Sequence, residues 1–346
     1  MSRTVVRRRY TFAVLSVAVA ALVVAGAGMG AVAIPPATVF SLLAGQLGLD
    51  IGPGASAIHE SVFWSIRLPR LGLGLVAAGA LAAAGVGLQA VFRNPLAESQ
   101  VVGMSWGAAV GAAAVAVPGA AILGGPATPF AASVTALLFT LLAYRISRRG
   151  TRVEVVTLIL AGVAINAIAA SVVGLLVNVA ERGRMRSFSF WSLGSLGGAT
   201  WETVWMTLLF VLPAAALLAA RSRRLNVLLL GDEEARHTGV DVERLRAEVL
   251  TAAALLTGAT VAAAGVIGFV GLLAPHTVRM IIGPDNRALL PGSMLAGMVL
   301  LLAADLAART AAAPAEIPLG ILTALAGGPF FLWLLNRTRR AQGGWR

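Results

Sequence analysis

The sequence predicts an all-α polytopic membrane protein with about ten transmembrane helices, and three observations support that prediction. Of the 346 residues, 58% are hydrophobic and only 12% are charged, whereas about a quarter of the residues in soluble domains are charged. Continuous apolar runs of roughly 20 residues, the length of a membrane-spanning helix, recur along the whole chain. The connectors between these runs are too short to hold a soluble domain, so the sequence predicts a single transmembrane domain over residues 1–346.

Arginine clusters set the direction of the spans, because positive charge is retained on the cytoplasmic side. The runs are rich in Ala, Leu and Val and do not alternate with polar residues, which argues against a membrane β-barrel. Both termini are predicted inside, so the number of spans is even, and a short segment after a break at Pro275 counts as the eighth. The predicted spans cover about residues 11–33, 68–90, 101–117, 130–144, 155–179, 204–220, 249–270, 276–282, 289–308 and 317–335.

The first apolar run follows several arginines and could also belong to a secretory signal, with a cleavage site at residues 31–33. The apolar core of a cleaved signal is about 7–15 residues long. This run is longer, so a retained first span with a cytoplasmic N-terminus is predicted.

Composition argues against several classes of function. Cysteine is absent and the three histidines are scattered, so the sequence predicts no disulfide and no metal site. The net charge of +12 comes from arginines that flank apolar runs, which indicates membrane topology and no nucleic-acid partner. Every cation is arginine, and a Walker A loop needs a lysine, so the chain is not a conventional P-loop ATPase. No catalytic constellation of side chains is apparent, and the sequence predicts transport without enzymatic activity or a cofactor.

Three arginines, Arg67, Arg70 and Arg309, are predicted at the outer ends of spans. Either their long side chains anchor the spans at the membrane interface, or they form a ring of cations for an acidic partner. Arg309 follows Asp305 by one helical turn, so this pair would offset part of the cost of burying the charges. A second outer group conflicts with the positive-inside rule and indicates a miscounted span or an acidic partner outside. It consists of Arg182, Arg184 and Arg186.

The turn after the second span contains Asn94, Pro95 and Leu96. Proline restricts its backbone and the asparagine side chain can close it, so the turn is either an ordinary connector or a constriction that leans across a pathway. Polar residues within spans more often form interhelical hydrogen bonds than substrate contacts. These residues are Gln89, Asn166 and Asn178.

The longest polar stretch, residues 226–248, follows the sixth span. It is too charged to enter lipid and too small to be a domain. Gly239 divides it into one or two short helices. A helical hairpin of this kind predicts a docking surface on the cytoplasmic side.

Two glycine-rich segments, residues 79–86 and 258–266, resemble each other, and Pro95 and Pro275 follow them at the same distance. The predicted topology runs them in opposite directions. They therefore indicate either an inverted repeat, which is common in transporters, or chance similarity in a chain rich in Ala and Gly. The overlapping stretch of residues 265–276 is either a broken helix lining a cavity or a tight helix crossing.

Ordered motifs along most of the chain resemble the FecCD/BtuC permease family, the membrane subunits of type II ABC importers for ferric siderophores, haem and vitamin B12. The motifs are RLPR, GALAAAG, RNPLAES, FWSLGSL, LGDEEARHTGV, GFVGLLAPHTVR and AEIPLGILTALAGGPFFLWLL. This resemblance implies a ten-helix permease of the inner cell membrane that forms a homodimer around a central pathway. It also implies two copies of a separate ATPase inside and a substrate-binding protein outside.

The resemblance assigns roles to the residues that match the family's motifs. It implies docking of the binding protein at Arg67, Arg70 and Arg309, and a cytoplasmic gate at the turn of Asn94, Pro95 and Leu96. The residues that would seat in the ATPase are Gly231, Glu234, Ala235 and Gly239. Ser99 departs from the family pattern, since most members have proline there, and this would alter the gate turn.

The resemblance thus implies an importer permease for an iron complex, either haem or a ferric siderophore. A vitamin B12 permease remains an alternative, and so does an ion-coupled secondary transporter from a different class. The latter would need carboxylates deep within spans as coupling sites. Asp305 is the main candidate, and it lies close to an arginine at the end of a span.

Overall fold

The computed structural model describes residues 3–46, 48–49, 52, 54–116, 127–150, 152–179, 191–313 and 315–341. These residues are almost entirely helical. In chain order the elements are α1 (Arg3–Gly28), α2 (Pro36–Gln46), α3 (Ala57–Val62), a π-helical turn (Phe63–Arg67), α4 (Leu68–Val91), α5 (Met104–Ala116), α6 (Ala127–Ser147), the short strands β1 (Arg148–Arg149) and β2 (Arg152–Val153), α7 (Val155–Val179), α8 (Trp201–Leu228), α9 (Asp232–His237), α10 (Val242–Ala264), α11 (Val270–Ile282), α12 (Asn286–Thr310) and α13 (Leu319–Ala341).

The membrane-spanning helices agree with the predicted spans in number and order. Within the described residues, seven helices are long and apolar enough to cross a membrane, and three shorter apolar helices accompany them at 104–116, 270–282 and 319–333. Each of the ten falls on one predicted span. The all-helical polytopic fold is therefore confirmed.

The second span begins earlier than predicted. Helix α3, the π-helical turn and α4 run on without interruption as a 35-residue helix that begins at Ala57. Ser56 caps its first turn, because its side chain accepts a hydrogen bond from the backbone N–H of His59. Residues 57–67 include charged and polar side chains. The continuous apolar run therefore begins only at residue 68, which is where the sequence predicts the start of the span.

Helix α4 lies at the centre of the bundle and packs against α8, α10, α11 and α12. Its residues are buried along nearly the whole length, and most of them are Ala, Gly or Leu. Small side chains let backbones approach closely, which matters in lipid because the hydrophobic effect does not draw helices together there. At Gly85 the approach is closest, since an added Cβ would lie 1.9 Å from the carbonyl oxygen of Gly271.

Helices α4 and α10, which carry the similar glycine-rich segments, pack in opposite directions. Gly87 near the end of α4 faces Val249 near the start of α10. At the other end, Leu73 and Ala264 belong to one buried cluster. This antiparallel arrangement agrees with the predicted topology.

The prediction of a break at Pro275 was wrong. Helix α10 ends at Ala264 and not at residue 270, the chain is non-helical over 265–269, and Pro275 lies inside α11. Gly265 and Phe269 both have positive φ, which ends one helix and precedes the next. Proline has no N–H to donate to the carbonyl of residue i−4, here Gly271. The Gln89 side chain donates to that carbonyl instead, at 3.2 Å, so the helix tolerates the proline.

Candidate docking and gating sites

The outer ends of α4 and α12 bring three arginines and two carboxylates together. Arg70 donates to Asp305 at 2.9 Å and to Glu316 at 2.7 Å. Arg309 pairs with the other Asp305 oxygen at 3.4 Å, one turn along the same helix, as predicted. The cluster has a net charge of +1, because Arg67, Arg70 and Arg309 outnumber Asp305 and Glu316 by one. We call these five residues the outer charge cluster.

The arginines of the outer charge cluster are buried in this structure and do not reach out along an interface. Arg67 donates to the backbone carbonyls of Ala27 and Val32 at the end of α1. Gly26 leaves room for Arg309, since an added Cβ would lie 2.9 Å from its guanidinium. The end of α1 thus covers the cluster, and the buried Arg67 joins it to the start of α4.

The two carboxylates differ in exposure, and sequence reasoning gave no role to Glu316. The side chain of Asp305 is 1% exposed, whereas that of Glu316 is 46% exposed. Asp305 is therefore a fixed counter-ion, and Glu316 is a displaceable one. The sequence gives little indication of a role for Glu316, because this residue lies in the short connector between α12 and α13.

At the other end of α4, the turn of Asn94, Pro95 and Leu96 has the local geometry that the sequence predicts. The Asn94 side-chain oxygen accepts a hydrogen bond from the backbone N–H of Leu96 at 3.0 Å, which closes the turn. Asn94 is buried, whereas Pro95 is exposed. Arg93, just before the turn, has a φ of 47°, a left-handed conformation that is uncommon outside glycine. We call residues 94–96 the gate turn, after the role that the family resemblance implies for it.

A buried carboxylate follows the gate turn. Glu98 is 3% exposed. Burial raises the pKa of its carboxyl from 4.5 to about 7, while the backbone N–H groups of Phe269 and Leu272 act in the opposite direction. These groups belong to the non-helical break and to the first turn of α11. Glu98 therefore ties the segment after the gate turn to the start of α11.

Of the three polar span residues, one forms an interhelical hydrogen bond and one bonds the turn before α5. Gln89 bonds the Gly271 carbonyl, as described above, and the Asn166 side chain donates to the carbonyl of Gln100 at 2.7 Å. Asn178 is exposed. A cavity of about 480 Å³ lies beside this region, and Gln100, Trp106 and Phe269 contribute to its walls. In the described part of the chain, no group of three or more acidic, histidine or cysteine side chains could hold a metal ion.

The polar hairpin contains one short helix, α9, and after Gly239 the first turns of α10, which runs on to Ala264 well beyond the predicted range. Gly231 precedes α9 with a φ of 139°, and Gly239 follows it with a φ of 80°. Of the four residues predicted to contact an ATPase, Glu234 and Gly239 are exposed, whereas Gly231 and Ala235 are buried. Only the first two are placed to meet a partner directly, and the buried two hold α9 against the bundle.

The hairpin also contains an ion network that sequence reasoning missed. Arg246 donates to both carboxylate oxygens of Asp232 at 2.8 Å, and both residues are buried. Arg93 lies 3.6 Å from the same carboxylate. The sequence did carry a signal, because Arg246 interrupts the i, i+3, i+4 stripe of buried apolar residues along α10. A charge on such a stripe indicates a buried partner.

The predicted outer arginines Arg182, Arg184 and Arg186 lie outside the described residues.

The chain is similar to known proteins in both sequence and structure. The FecCD transport family matches residues 17–337. The chain is 44% identical over 291 residues to the hemin transport system permease protein HmuU of Yersinia pestis, covering 82% of this chain and 85% of that protein. It is 43% identical to the cobalamin import system permease protein BtuC of Halobacterium salinarum, covering 82% and 75%. Among solved structures, a metal-chelate type ABC transporter in an inward-facing conformation superimposes with a TM-score of 0.79 at 29% identity, covering 95% of this chain and 99% of that one.

Proposed function

The chain belongs to the FecCD transport family, and from this premise we propose that it carries an iron complex, haem or a ferric siderophore, into the cytoplasm. The coarser function follows from the family itself. The chain is a permease subunit of an ABC importer and a multi-pass protein of the inner cell membrane.

One observation carries the transport mechanism: α4 joins the outer charge cluster to the gate turn. Arg70 lies in its first turn, and Asn94 follows its last residue by three positions. At 1.5 Å per residue, its 24 residues span about 36 Å, more than the roughly 30 Å of a bilayer core. A buried helix of this length supports the proposal that an outer partner site and an inner gate lie on opposite sides of the membrane.

An acidic substrate-binding protein is the proposed outer partner. The outer charge cluster has a net positive charge, and the exposed Glu316 carboxylate is the one that an incoming acidic side chain can displace. Asp305 stays buried with Arg70 and Arg309, which keeps the two cations in place. Docking therefore requires an exchange of carboxylates on Arg70.

A separate ATPase is the proposed inner partner. Glu234 and Gly239 expose one side of the hairpin, and the chain has no lysine for a Walker A loop. A second copy of the chain would complete the pathway. Helix α7 exposes Leu160, Val163 and Leu175, and α13 exposes Leu325 and Leu332, which are apolar faces that a partner helix can cover.

The substrate class rests on similarity and on the cavity wall. The haem relative and the cobalamin relative are almost equally similar in sequence, so vitamin B12 stays the second candidate. The cavity between α5, the non-helical break before α11 and the start of α13 is lined mostly by apolar side chains such as Trp106 and Phe269, with Gln100 among its few neutral polar ones. A wall without fixed charge suits a large, bulky complex already selected by the binding protein.

The test is transport in proteoliposomes containing the permease with its ATPase and binding protein. We expect uptake of haem or a ferric siderophore with ATP and none without it. Cobalamin uptake in place of the iron complexes would support the second candidate. Uptake driven by a proton or sodium gradient without ATP would contradict the importer mechanism, and binding assays on the binding protein would identify the substrate independently.

A further inference from the structure

The hairpin and the gate turn are joined by one carboxylate. Asp232 is the first residue of α9, and Arg246 of α10 holds both of its oxygens at 2.8 Å. The side chain of Arg246 is 3% exposed and that of Asp232 is 9% exposed. One guanidinium nitrogen of Arg246 donates to both oxygens, and this buried, charge-assisted contact holds Asp232 against α10. Helix α9 and the start of α10 therefore move as one body.

The second contact of Asp232 is looser and reaches the gate. Arg93 lies 3.6 Å from the carboxylate oxygen, and its side chain is 36% exposed. Its backbone is held in the left-handed region immediately before Asn94. A displacement of the Arg93 side chain therefore acts on a residue with a strained backbone, and the next residue, Asn94, closes the gate turn.

We propose that Asp232 is the residue that transmits movement of the ATPase-docked hairpin to the gate turn, through Arg93. This inference rests on the proposed function, because it needs an ATPase seated on the exposed side of α9. The rigid Arg246 contact fixes Asp232 to the hairpin, and the looser Arg93 contact transfers its displacement to the turn. Asp232 and Arg93 act by positioning and touch no substrate.

The rest of the ion network offers a matched control. Glu243 on α10 accepts hydrogen bonds from Arg148 at 3.4 Å. The ion pairs of Asp232 are with Arg246 and Arg93. The side chains of Arg148 and Glu243 are both roughly 40% exposed, close to the exposure of Arg93. Arg148→Gln therefore removes a comparable cytoplasmic ion pair of the same network without touching the link to the gate turn.

The experiment compares Arg93→Gln, Arg93→Lys and Arg148→Gln in proteoliposomes with the ATPase and binding protein, and measures ATP hydrolysed per substrate imported. In Arg93→Gln we expect normal assembly with the ATPase, an unchanged melting temperature and a transport yield per ATP about fivefold lower, the small end of a typical coupling energy. Arg93→Lys should recover most of the yield because it restores the charge, and Arg148→Gln should match the wild type.

An unchanged yield per ATP in Arg93→Gln would overturn the link through Asp232, and so would an equal loss in Arg148→Gln. A yield that Arg93→Lys fails to recover would also count against it. Failure of the proposed function has a different signature, because the wild type would then show no ATP-driven uptake at all.

Discussion

The close approach of α4 and α11 at Gly85 gives the sharpest stability prediction. Gly85 lies in the C-terminal half of α4, where an added Cβ would be 1.9 Å from the Gly271 carbonyl oxygen and 2.7 Å from its carbon. Ordinary contact begins at 3.4 Å. Gly85→Ala therefore requires α4 and α11 to separate by about 1.5 Å, since backbone atoms have no rotamer through which to escape.

Two opposing effects set the change in the free energy of unfolding for Gly85→Ala. Alanine is better than glycine in a helix by about 1 kcal/mol, whereas overpacking a close contact costs about 1–3 kcal/mol. Because the contact here is with backbone, the upper end applies and the net loss is about 2 kcal/mol. At roughly 2 °C per kcal/mol for a chain of this size, the melting temperature should fall by about 4 °C.

The assay is thermal unfolding in detergent, followed by the fluorescence of the seven tryptophans. Gly72→Ala is the matched control, because Gly72 lies in the same helix and an added Cβ would meet Val204 at 3.6 Å, an ordinary contact. The control should melt at or slightly above the wild-type temperature. Equal melting temperatures for the two variants would refute the argument that backbone proximity makes glycine necessary at position 85.

Three other predictions concern the buried and half-buried carboxylates. The pKa of Glu98 is about 7 instead of 4.5, so the folded protein should lose about 3 kcal/mol of stability as the pH rises from 4.5 to 7. Glu98→Gln should abolish that slope in melts at pH 5 and pH 8, and a parallel slope would contradict the assignment. Asp305→Asn leaves Arg70 and Arg309 without their buried counter-ion and should lower the free energy of unfolding by about 3–5 kcal/mol. Glu316→Gln, at a half-exposed site, should lower it by at most about 1 kcal/mol. Glu316→Gln should also tighten docking of the binding protein by up to about fivefold in a low-salt titration, and weaker docking would rule out the competition on Arg70.

Much of the bundle could be predicted from the chain alone. The ten spans follow from the length of the apolar runs, because each backbone group in lipid must find its partner within its own helix. The gate turn follows from Asn94 and Pro95, since both residues act on their immediate neighbours. The division of the hairpin at Gly239 is equally local, because that glycine adopts a positive φ.

The break between α10 and α11 shows where local reasoning fails. Proline predicts a helix end, yet Pro275 lies inside α11 because Gln89, 182 positions from Gly271, bonds the carbonyl that the proline leaves without a partner. The chain instead breaks at Gly265, where an added Cβ would lie 1.8 Å from the Trp191 carbonyl. Both causes lie in other parts of the fold and have no local signature.

The sequence by itself determined which segments cross the membrane, which turns join them and that the chain resembles an importer permease, because hydropathy, turn residues and motifs are properties of short stretches. Only the tertiary structure decided that Arg70 pairs with Asp305, 235 positions away, and that the half-exposed Glu316 is its second partner. It also decided that Asp232 lies between Arg246 of α10 and Arg93, the residue before the gate turn. An ion pair depends on the distance between two side chains in space, and folding alone sets that distance when the partners belong to different helices.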